Sequence, residues 1–232
     1  MTSKLFDITG RLGITTDEER SRARLGALLA ERSTPSDRSF DRFLSEELRS
    51  YSGVHWTPLA VVVKVADWLD EAGVRAVVDI GSGAGKFCVA SALASPQRRL
   101  VGIEARADLV RAADQLAAEF GVQDRVEFVE GDIGQAATPH GEAYYLYNPF
   151  EENLLGPEAR LPGDMHLDEA RFSRDVAAVE HLLWGAPPGT VLVTYNGFGG
   201  DVPAGFRVMK VDRSLPCVLS MWRKERPPSA RV

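Results

Sequence analysis

The sequence has little of what would mark a secreted, membrane or nucleic-acid-binding protein. Its two cysteines, Cys88 and Cys217, lie far apart and match no metal-ligand spacing, which favours reduced thiols and a cytoplasmic location. No run is long and apolar enough to span a membrane, and the first residues show no signal-peptide pattern. The net charge of −6 gives no general attraction to nucleic acid or to an anionic membrane. We therefore expect a soluble, cytoplasmic protein for which a nucleic-acid partner is disfavoured.

The most informative segment is a short apolar run that contains an acid and is followed by three alternating glycines. Residues 77–80 read Val-Val-Asp-Ile, then come Gly81, Gly83 and Gly85, and a helical pattern starts at Lys86. This order predicts a buried parallel strand, a tight turn and the first turn of a helix. Nucleotide-like ligands bind at such turns, outside the carboxyl ends of the strands in open α/β sheets.

Two common nucleotide-binding patterns are absent from this turn. A dinucleotide fingerprint requires glycine or alanine where this chain has Lys86, so an NAD-dependent oxidoreductase is disfavoured. The Gly-Lys-Ser/Thr ending of a phosphate-binding loop is also missing. A glycine-rich turn that binds no ligand is the alternative interpretation.

The order acid-x-Gly-x-Gly-x-Gly, which starts at Asp79, resembles motif I of class I S-adenosylmethionine (SAM) methyltransferases. The resemblance implies an α/β fold with a doubly wound, Rossmann-like sheet of seven mostly parallel strands, the last of them antiparallel. It also implies SAM as the cofactor and S-adenosylhomocysteine (SAH) as the product. The residues that it assigns to the cofactor from this motif are Asp79, Gly81, Ser82, Gly83 and Gly85.

Two later strand ends fit the same pattern. Glu104 ends a predicted strand, residues 99–104, and lies 19 residues beyond Gly85, where a doubly wound fold places the acid that binds ribose hydroxyls. Ala105 follows it in the same site. A further alternating segment, residues 126–130, precedes Asp132 and Ile133. The resemblance implies that Asp132 binds the adenine amino group and that Ile133 packs on the ring.

The end of the next strand indicates the chemistry. Residues 143–147 are apolar and aromatic, and Asn148, Pro149 and Phe150 follow. Many amino-group methyltransferases carry such a motif, and the resemblance implies that Asn148 orients the acceptor nitrogen and also contacts the cofactor. Phe150 would stack on the acceptor and Tyr147 would assist. There is one proline instead of the two of the DNA and glutamine N-methyltransferases, which weakens the nucleobase interpretation, and a turn-forming Asn-Pro without a role is the alternative.

The residues before the glycine turn predict a helical extension. Thr16 and Glu19 form a capping box, and Thr34-Pro35 opens a second helix that runs past Leu48. A third helix begins with Thr57 as N-cap and Pro58 at its first position. In the family, the segment before this helix closes over the cofactor, so we place Thr57 in the cofactor site; simple packing is the alternative for the whole extension.

The remaining segments complete the assignment. Residues 151–168 form a long acidic loop after the catalytic strand, which makes it a candidate for acceptor recognition, with a merely solvated loop as the alternative. His166 has no nearby ligand partners, so we propose no metal. We divide the chain into a helical extension or lid (1–56), a SAM-dependent methyltransferase domain (57–223) and a disordered tail (224–232).

These observations together predict a SAM-dependent methyltransferase. The expected reaction transfers a methyl group to an amino nitrogen of an unidentified acceptor, either a protein lysine or a small-molecule amine. A small-molecule O-methyltransferase and a non-catalytic SAM-binding scaffold are the alternatives. The sequence identifies neither the acceptor nor the oligomeric state.

Overall fold

The computed structural model describes residues 5–6, 12–13, 16–135 and 140–226. The strands are β1 (Leu5–Phe6), β2 (Leu12–Gly13), β3 (Ala76–Ile80), β4 (Arg99–Glu104), β5 (Val126–Glu130), β6 (Ala143–Tyr147), β7 (Val191–Tyr195), β8 (Phe206–Asp212) and β9 (Leu219–Lys224). The helices are α1 (Asp17–Ala30), α2 (Asp37–Asp41), α3 (Glu46–Ser50), α4 (Ser52–His55), α5 (Leu59–Glu71), α6 (Lys86–Ala94), α7 (Ala107–Glu119) and α8 (Glu169–Gly185).

Seven of the strands form one sheet in the order β5-β4-β3-β6-β7-β9-β8. The first five are parallel, and β9 runs antiparallel to both of its neighbours. The first strand of this sheet along the chain, β3, lies in its middle. The chain then forms β4 and β5 on one side of β3 and the other four strands on the other side. β3 and β6 are parallel neighbours, and the connections that follow them lead to opposite halves of the sheet. Such a point creates a crevice at the carboxyl ends of the strands, where these sheets bind ligands. The predicted doubly wound, seven-stranded fold with an antiparallel last strand is confirmed.

The sheet is buried on both faces because alternate residues of its strands are apolar. Val77 packs on one face with α5 and α6, whereas Val78 and Ile80 pack on the other face against α8. α6 is buried on nearly all sides, so its sequence shows no polar stripe. In the described part of the chain, no helix is both long and apolar enough to cross a bilayer.

The N-terminal region keeps one predicted feature and differs from the expectation at two points. Thr16 and Glu19 form the predicted capping box of α1. The predicted second helix is instead two short helices, because Ser45 ends the run and caps α3. Residues 5–6 and 12–13, for which we predicted no strand, pair as a two-stranded antiparallel ladder, and the other residues of 1–15 lie outside the described part.

The predicted cap of α5 is wrong. Pro58 occupies the N-cap position, and its ring offers no side-chain acceptor. The backbone N–H of Leu59 is bound instead by the carboxylate of Asp37, at 2.9 Å, from the distant α2. Thr57 is buried, and its hydroxyl pairs with the hydroxyl of Tyr145 at 3.1 Å. A long-range acceptor has therefore replaced the local one.

The C-terminal strand extends further than expected. β9 continues through Lys224, whose N–H donates to the carbonyl of Thr190 at 2.8 Å. The N–H of Glu225 donates to the carbonyl of Gly205 at 2.7 Å. Residues 227–232, where we placed most of the tail, lie outside the described part.

Candidate functional site

The glycine turn links β3 to α6 at the crevice of the sheet. Gly81, Gly83 and Gly85 have φ angles of +77°, +54° and +77°, which glycine adopts without strain. The N–H groups of Gly81 and Ser82 donate to the carbonyl of Ile103, which ties the turn to the end of β4. The turn therefore has a backbone conformation with positive φ angles, which would be strained if residues other than glycine stood at these positions.

Each glycine also makes room for a particular neighbour. A Cβ at Gly81 would lie 2.5 Å from the Pro149 side chain, and one at Gly83 would lie 2.4 Å from the Trp56 ring. A Cβ at Gly85 would lie 2.6 Å from the Phe128 ring, inside the domain. Gly81 and Gly83 thus border the crevice, whereas Gly85 allows α6 to pack closely on the sheet.

Glu104 stands at the end of β4 beside the turn. One carboxylate oxygen accepts the N–H of Gly83 and the other accepts the N–H of Arg106, each at 2.9 Å. Burial raises the pKa of Glu104, and these two N–H donors lower it. The carboxylate therefore links the glycine turn to the loop after β4 while one side of it faces the crevice.

The crevice contains most of the predicted site residues. Those that line it are Gly81, Gly83, Glu104, Ala105, Asp132, Ile133, Tyr147, Asn148 and Phe150. The other predicted residues, Thr57, Asp79, Ser82 and Gly85, lie outside its lining. The wall also includes five carboxylates and two guanidinium groups, so it carries an excess of negative charge. These are Glu104, Asp132, Glu151, Glu152, Asp175, Arg106 and Arg171.

Asp79 is buried behind the turn. Its side chain is 3% exposed and accepts a hydrogen bond from the Cys88 thiol at 3.4 Å. Burial raises the pKa of Asp79 to about 7, the thiol lowers it and the nearby Glu104 raises it. A weak thiol donor compensates little of the cost of burying a carboxylate, so the protonated form is favoured up to neutral pH.

Asp132 follows β5 and lines the crevice. Its carboxylate forms an ion pair with Arg171, and Arg174 lies 3.8 Å from its other oxygen. Asp175 is 4% exposed and contacts both guanidinium groups, and burial raises its pKa. Ile133 is buried beside them and supplies an apolar surface.

Asn148 has a positive φ of +37°, which asparagine tolerates better than most residues. Its side-chain nitrogen donates to the Glu151 carboxylate at 2.6 Å. A carboxylate only accepts hydrogen bonds, so the amide nitrogen must face Glu151 and the amide oxygen must point away from it. The backbone N–H of Asn148 donates to the carbonyl of Gly197 at 3.0 Å, which fixes the strand end.

Two aromatic side chains adjoin Asn148. Phe150 is 7% exposed, so most of its ring serves packing and one edge reaches the crevice. The Tyr147 hydroxyl donates to the carbonyl of Val54 at 3.2 Å, from α4. Burial and the neighbouring Tyr195 raise the pKa of Tyr147 to about 12, so its phenol keeps its proton at neutral pH.

The segment 151–168 folds over the crevice as two 3-10 turns with connecting loops. Arg106 donates to Glu152 at 2.6 Å and to the carbonyl of Pro162 at 2.9 Å, and the N–H of Leu161 donates to Glu152 at 2.7 Å. On the other side, a ring nitrogen of His55 lies 3.3 Å from the carbonyl of Ala159. Segment 151–168 and α4 therefore meet above the crevice.

Several wall residues were not predicted from the sequence. Arg106 lies two residues after Glu104 in a loop, and Arg171 lies on a helical face whose charges look solvated. Nothing in their spacing identified them, because their partners Glu152 and Asp132 are 46 and 39 residues away. Among the described residues, no group of three or more His, Cys, Asp or Glu could hold a metal ion.

The comparisons with known proteins identify the domain. Residues 73–143 match the profile of a family described as "Methyltransferase domain", from the end of α5 to the start of β6. A stretch of 72 residues is 34% identical to the release factor glutamine methyltransferase of Chlorobaculum tepidum. That stretch is 31% of this chain and only 24% of the relative, so the chain matches about a quarter of that protein's length.

Two solved structures extend the likeness to most of the chain. An RNA methyltransferase from Salinibacter ruber, in complex with SAH, is 27% identical with a TM-score of 0.51, over 75% of this chain and 97% of that one. An O-methyltransferase from Bacillus cereus, in complex with SAH, is 15% identical with a TM-score of 0.57, over 89% and 100%. The chain therefore has the class I, Rossmann-like methyltransferase fold, as the resemblance implied. The RNA methyltransferase leaves our expectation against a nucleic-acid partner unsupported.

Proposed function

We propose that the protein is a SAM-dependent methyltransferase that transfers a methyl group to an amino nitrogen. The methyltransferase domain and the SAH-bound relatives support the cofactor. The observation that carries the choice of acceptor is the fixed amide of Asn148, whose oxygen is left to accept a hydrogen bond. We further propose that residues 57–223 form the catalytic domain and residues 1–56 its extension.

The crevice residues fit SAM by their chemistry. Gly81 and Gly83 present a turn without side chains for the methionine end, and Glu104 presents a carboxylate for the ribose hydroxyls. Asp132 and Ile133 offer an acceptor and an apolar surface for the adenine. The excess of carboxylates suits a cofactor that carries a sulfonium and an ammonium group. Asp79, Ser82, Gly85 and Thr57 would support this site from behind.

When bound, SAM supplies an electrophilic methyl group for direct, in-line displacement. The protein's part is to position the acceptor and exclude water. Asn148 would offer two acceptors, its side-chain oxygen and its backbone carbonyl, which is bonded to the ring nitrogen of Pro149. These would accept the two N–H groups of an amine and leave the lone pair of its nitrogen free. Phe150 would pack against the acceptor, and α4 with segment 151–168 would shield it.

A hydroxyl acceptor is the second candidate, and one observation favours it. His55 lines the crevice and is the sole imidazole in its described wall, so it could take the proton of a hydroxyl. Tyr147 cannot serve as that base at neutral pH, because its pKa is about 12. An N–H acceptor needs no such base when it binds as the neutral amine.

The first experiment is calorimetric titration with SAM and SAH, with NAD as control. Micromolar binding of SAM and SAH without binding of NAD would support the cofactor. The absence of SAM binding would overturn the proposed activity and leave only the methyltransferase-like fold. A transfer assay with [methyl-3H]SAM would then compare lysine-rich proteins, polyamines, phenols and RNA. Labelling of the amines supports N-methylation, whereas labelling of phenols alone overturns it. Labelling of RNA alone would instead overturn the expected lysine or small-molecule amine acceptor, because RNA bases also carry amino nitrogens.

A further inference from the structure

Lys86 is a buried lysine in an unfavourable position. It is the first residue of α6, directly after the glycine turn, and its side chain is only 2% exposed. Burial disfavours an ammonium group, and the N-terminus of a helix carries partial positive charge. Lys86 therefore requires anionic partners, although a methionine of similar length would pack there without them.

Among the described residues, all of the polar partners of the Lys86 ammonium group come from the region before the glycine turn. Its ammonium nitrogen lies 2.7 Å from Asp37 and 2.8 Å from Asp41, and 3.3 Å from the Ser52 hydroxyl. The Ser52 hydroxyl in turn donates to Asp41 at 2.6 Å. Asp37 also binds the N–H of Leu59 at the start of α5. One ammonium group thus ties α2, α4 and α5 to the end of the turn.

The segment that Lys86 holds also forms one wall of the crevice. We name residues 37–56 the cover segment. Its Trp56 packs on Gly83, and the indole N–H donates to the carbonyl of Leu48 at 2.8 Å within the segment. Val54 and His55 line the crevice on the same side. The position of this wall relative to the turn therefore depends on the Lys86 cluster.

A buried ion cluster is weak evidence for added stability, because apolar residues of similar size often stabilise a fold as well. Lys86 and Asp41 are buried and Asp37 is partly exposed, so displacement of either acid would leave the buried ammonium group with fewer anionic partners. This cluster joins the turn and the cover segment at one point. Its effect is therefore to set the geometry between them.

We propose that Lys86 is a positioning residue that places the cover segment against the glycine turn, and that this segment completes the methionine side of the cofactor site. The inference rests on the proposed function. In the described part of the chain, no hydrogen bond or ion pair joins the cluster to Asp132 or Ile133, on the adenine side of the crevice. Loss of Lys86 should therefore weaken ligands that reach the glycine turn and spare those that do not.

The test compares two ligands on Lys86→Met. SAH carries the amino-acid portion that reaches the turn, whereas 5′-methylthioadenosine lacks it. We expect calorimetry to show SAH affinity reduced by about tenfold, with 5′-methylthioadenosine affinity changed by less than about twofold. Hydrogen exchange should become faster in residues 37–56. Lys64→Met is the matched control. Lys64 lies on α5, away from the crevice, and this variant removes its ion pair with Asp212 of β8.

A milder variant keeps the inference testable if Lys86→Met does not fold. Ser52→Ala removes only the hydroxyl between α4 and the charges, and we expect the same selective loss of SAH affinity at roughly threefold. Equal losses for both ligands, or wild-type SAH affinity in folded variants, would overturn the role of Lys86. Unchanged hydrogen exchange in residues 37–56 of the variants would likewise overturn the positioning role. If the wild-type protein itself binds no SAH, it is the proposed function that fails.

Discussion

The side-chain nitrogen of Asn148 lies 2.6 Å from the carboxylate of Glu151, at the mouth of the crevice. This contact determines which end of the amide the crevice receives, because only the nitrogen can donate to a carboxylate. Glu151 is exposed, and within the described residues its carboxylate makes no other hydrogen bond or ion pair, so orientation of this amide is the role that the structure offers for the side chain.

We expect Glu151→Ala to lower turnover roughly fivefold, about the worth of one orienting hydrogen bond. The released amide can rotate and present its nitrogen to the acceptor. SAH affinity should be unchanged, as measured by calorimetry beside a transfer assay on the acceptor that the screen identifies. Glu158→Ala, an exposed acid of the same segment, is the control. Equal turnover in both variants would contradict the orienting role.

Glu104→Ala should weaken SAM and SAH binding by about tenfold or more, since a hydrogen bond to a charged group contributes about 1.5–3 kcal/mol. The variant also removes the acceptor of two N–H groups, at Gly83 and Arg106, so its melting temperature should fall. Glu104→Gln retains one carbonyl oxygen, so its SAH affinity should lie between that of wild type and that of Glu104→Ala. Glu127→Ala, an exposed acid within β5, should bind like wild type. An unchanged dissociation constant in Glu104→Ala would remove Glu104 from the site.

Gly83→Ala should destabilise the fold and abolish measurable SAH binding. The new methyl group would meet the Trp56 ring at 2.4 Å, and alanine at a φ of +54° adds strain of about 1–3 kcal/mol. Gly73→Ala separates these two causes, because Gly73 has a similar φ of +74° with nothing within 4 Å. We expect Gly73→Ala to lower the melting temperature only. Normal SAH binding in Gly83→Ala would show that the turn does not border the cofactor.

The Asp79 carboxyl should make stability fall as the pH rises from about 4 to 7. Its pKa increases from 3.8 to about 7 on folding, so the folded state binds more protons than the unfolded state in this window. The favourable contribution is complete below the lower value and is lost as the pH passes the upper one. Asp79→Asn should flatten this dependence and melt several degrees higher than wild type at pH 8. Parallel melting curves of the two proteins from pH 4 to 8 would contradict the shift.

The glycine turn shows why much of the fold could be predicted. Val77 to Gly85 encode strand, turn and helix start through local burial and positive φ, and these properties need no distant partner. The strand-end position of Glu104 follows from the same repeating unit.

The cap of α5 and the wall of the crevice could not be predicted in this way. Thr57 has the correct residue type and position for a local cap, yet Asp37 competes for the same N–H from 22 residues away. In the sequence, Arg106 and Arg171 look like solvated surface charges. Only the folded chain places their partners, Glu152 and Asp132, beside them. The predicted assignment of Asp132 to the adenine amino group did not anticipate an arginine on the same carboxylate.

The sequence by itself determined the glycine turn and the acids at successive strand ends, because each depends on backbone conformation and on burial that repeats along the chain. The doubly wound sheet was implied by the family resemblance. Only the tertiary structure decided how Lys86, Trp56 and Glu151 act. Their partners lie in other elements or depend on the fold of a loop, and hydrogen bonds and ion pairs act only over a few ångströms. Local patterns specify which groups exist, whereas chain folding specifies which of them meet.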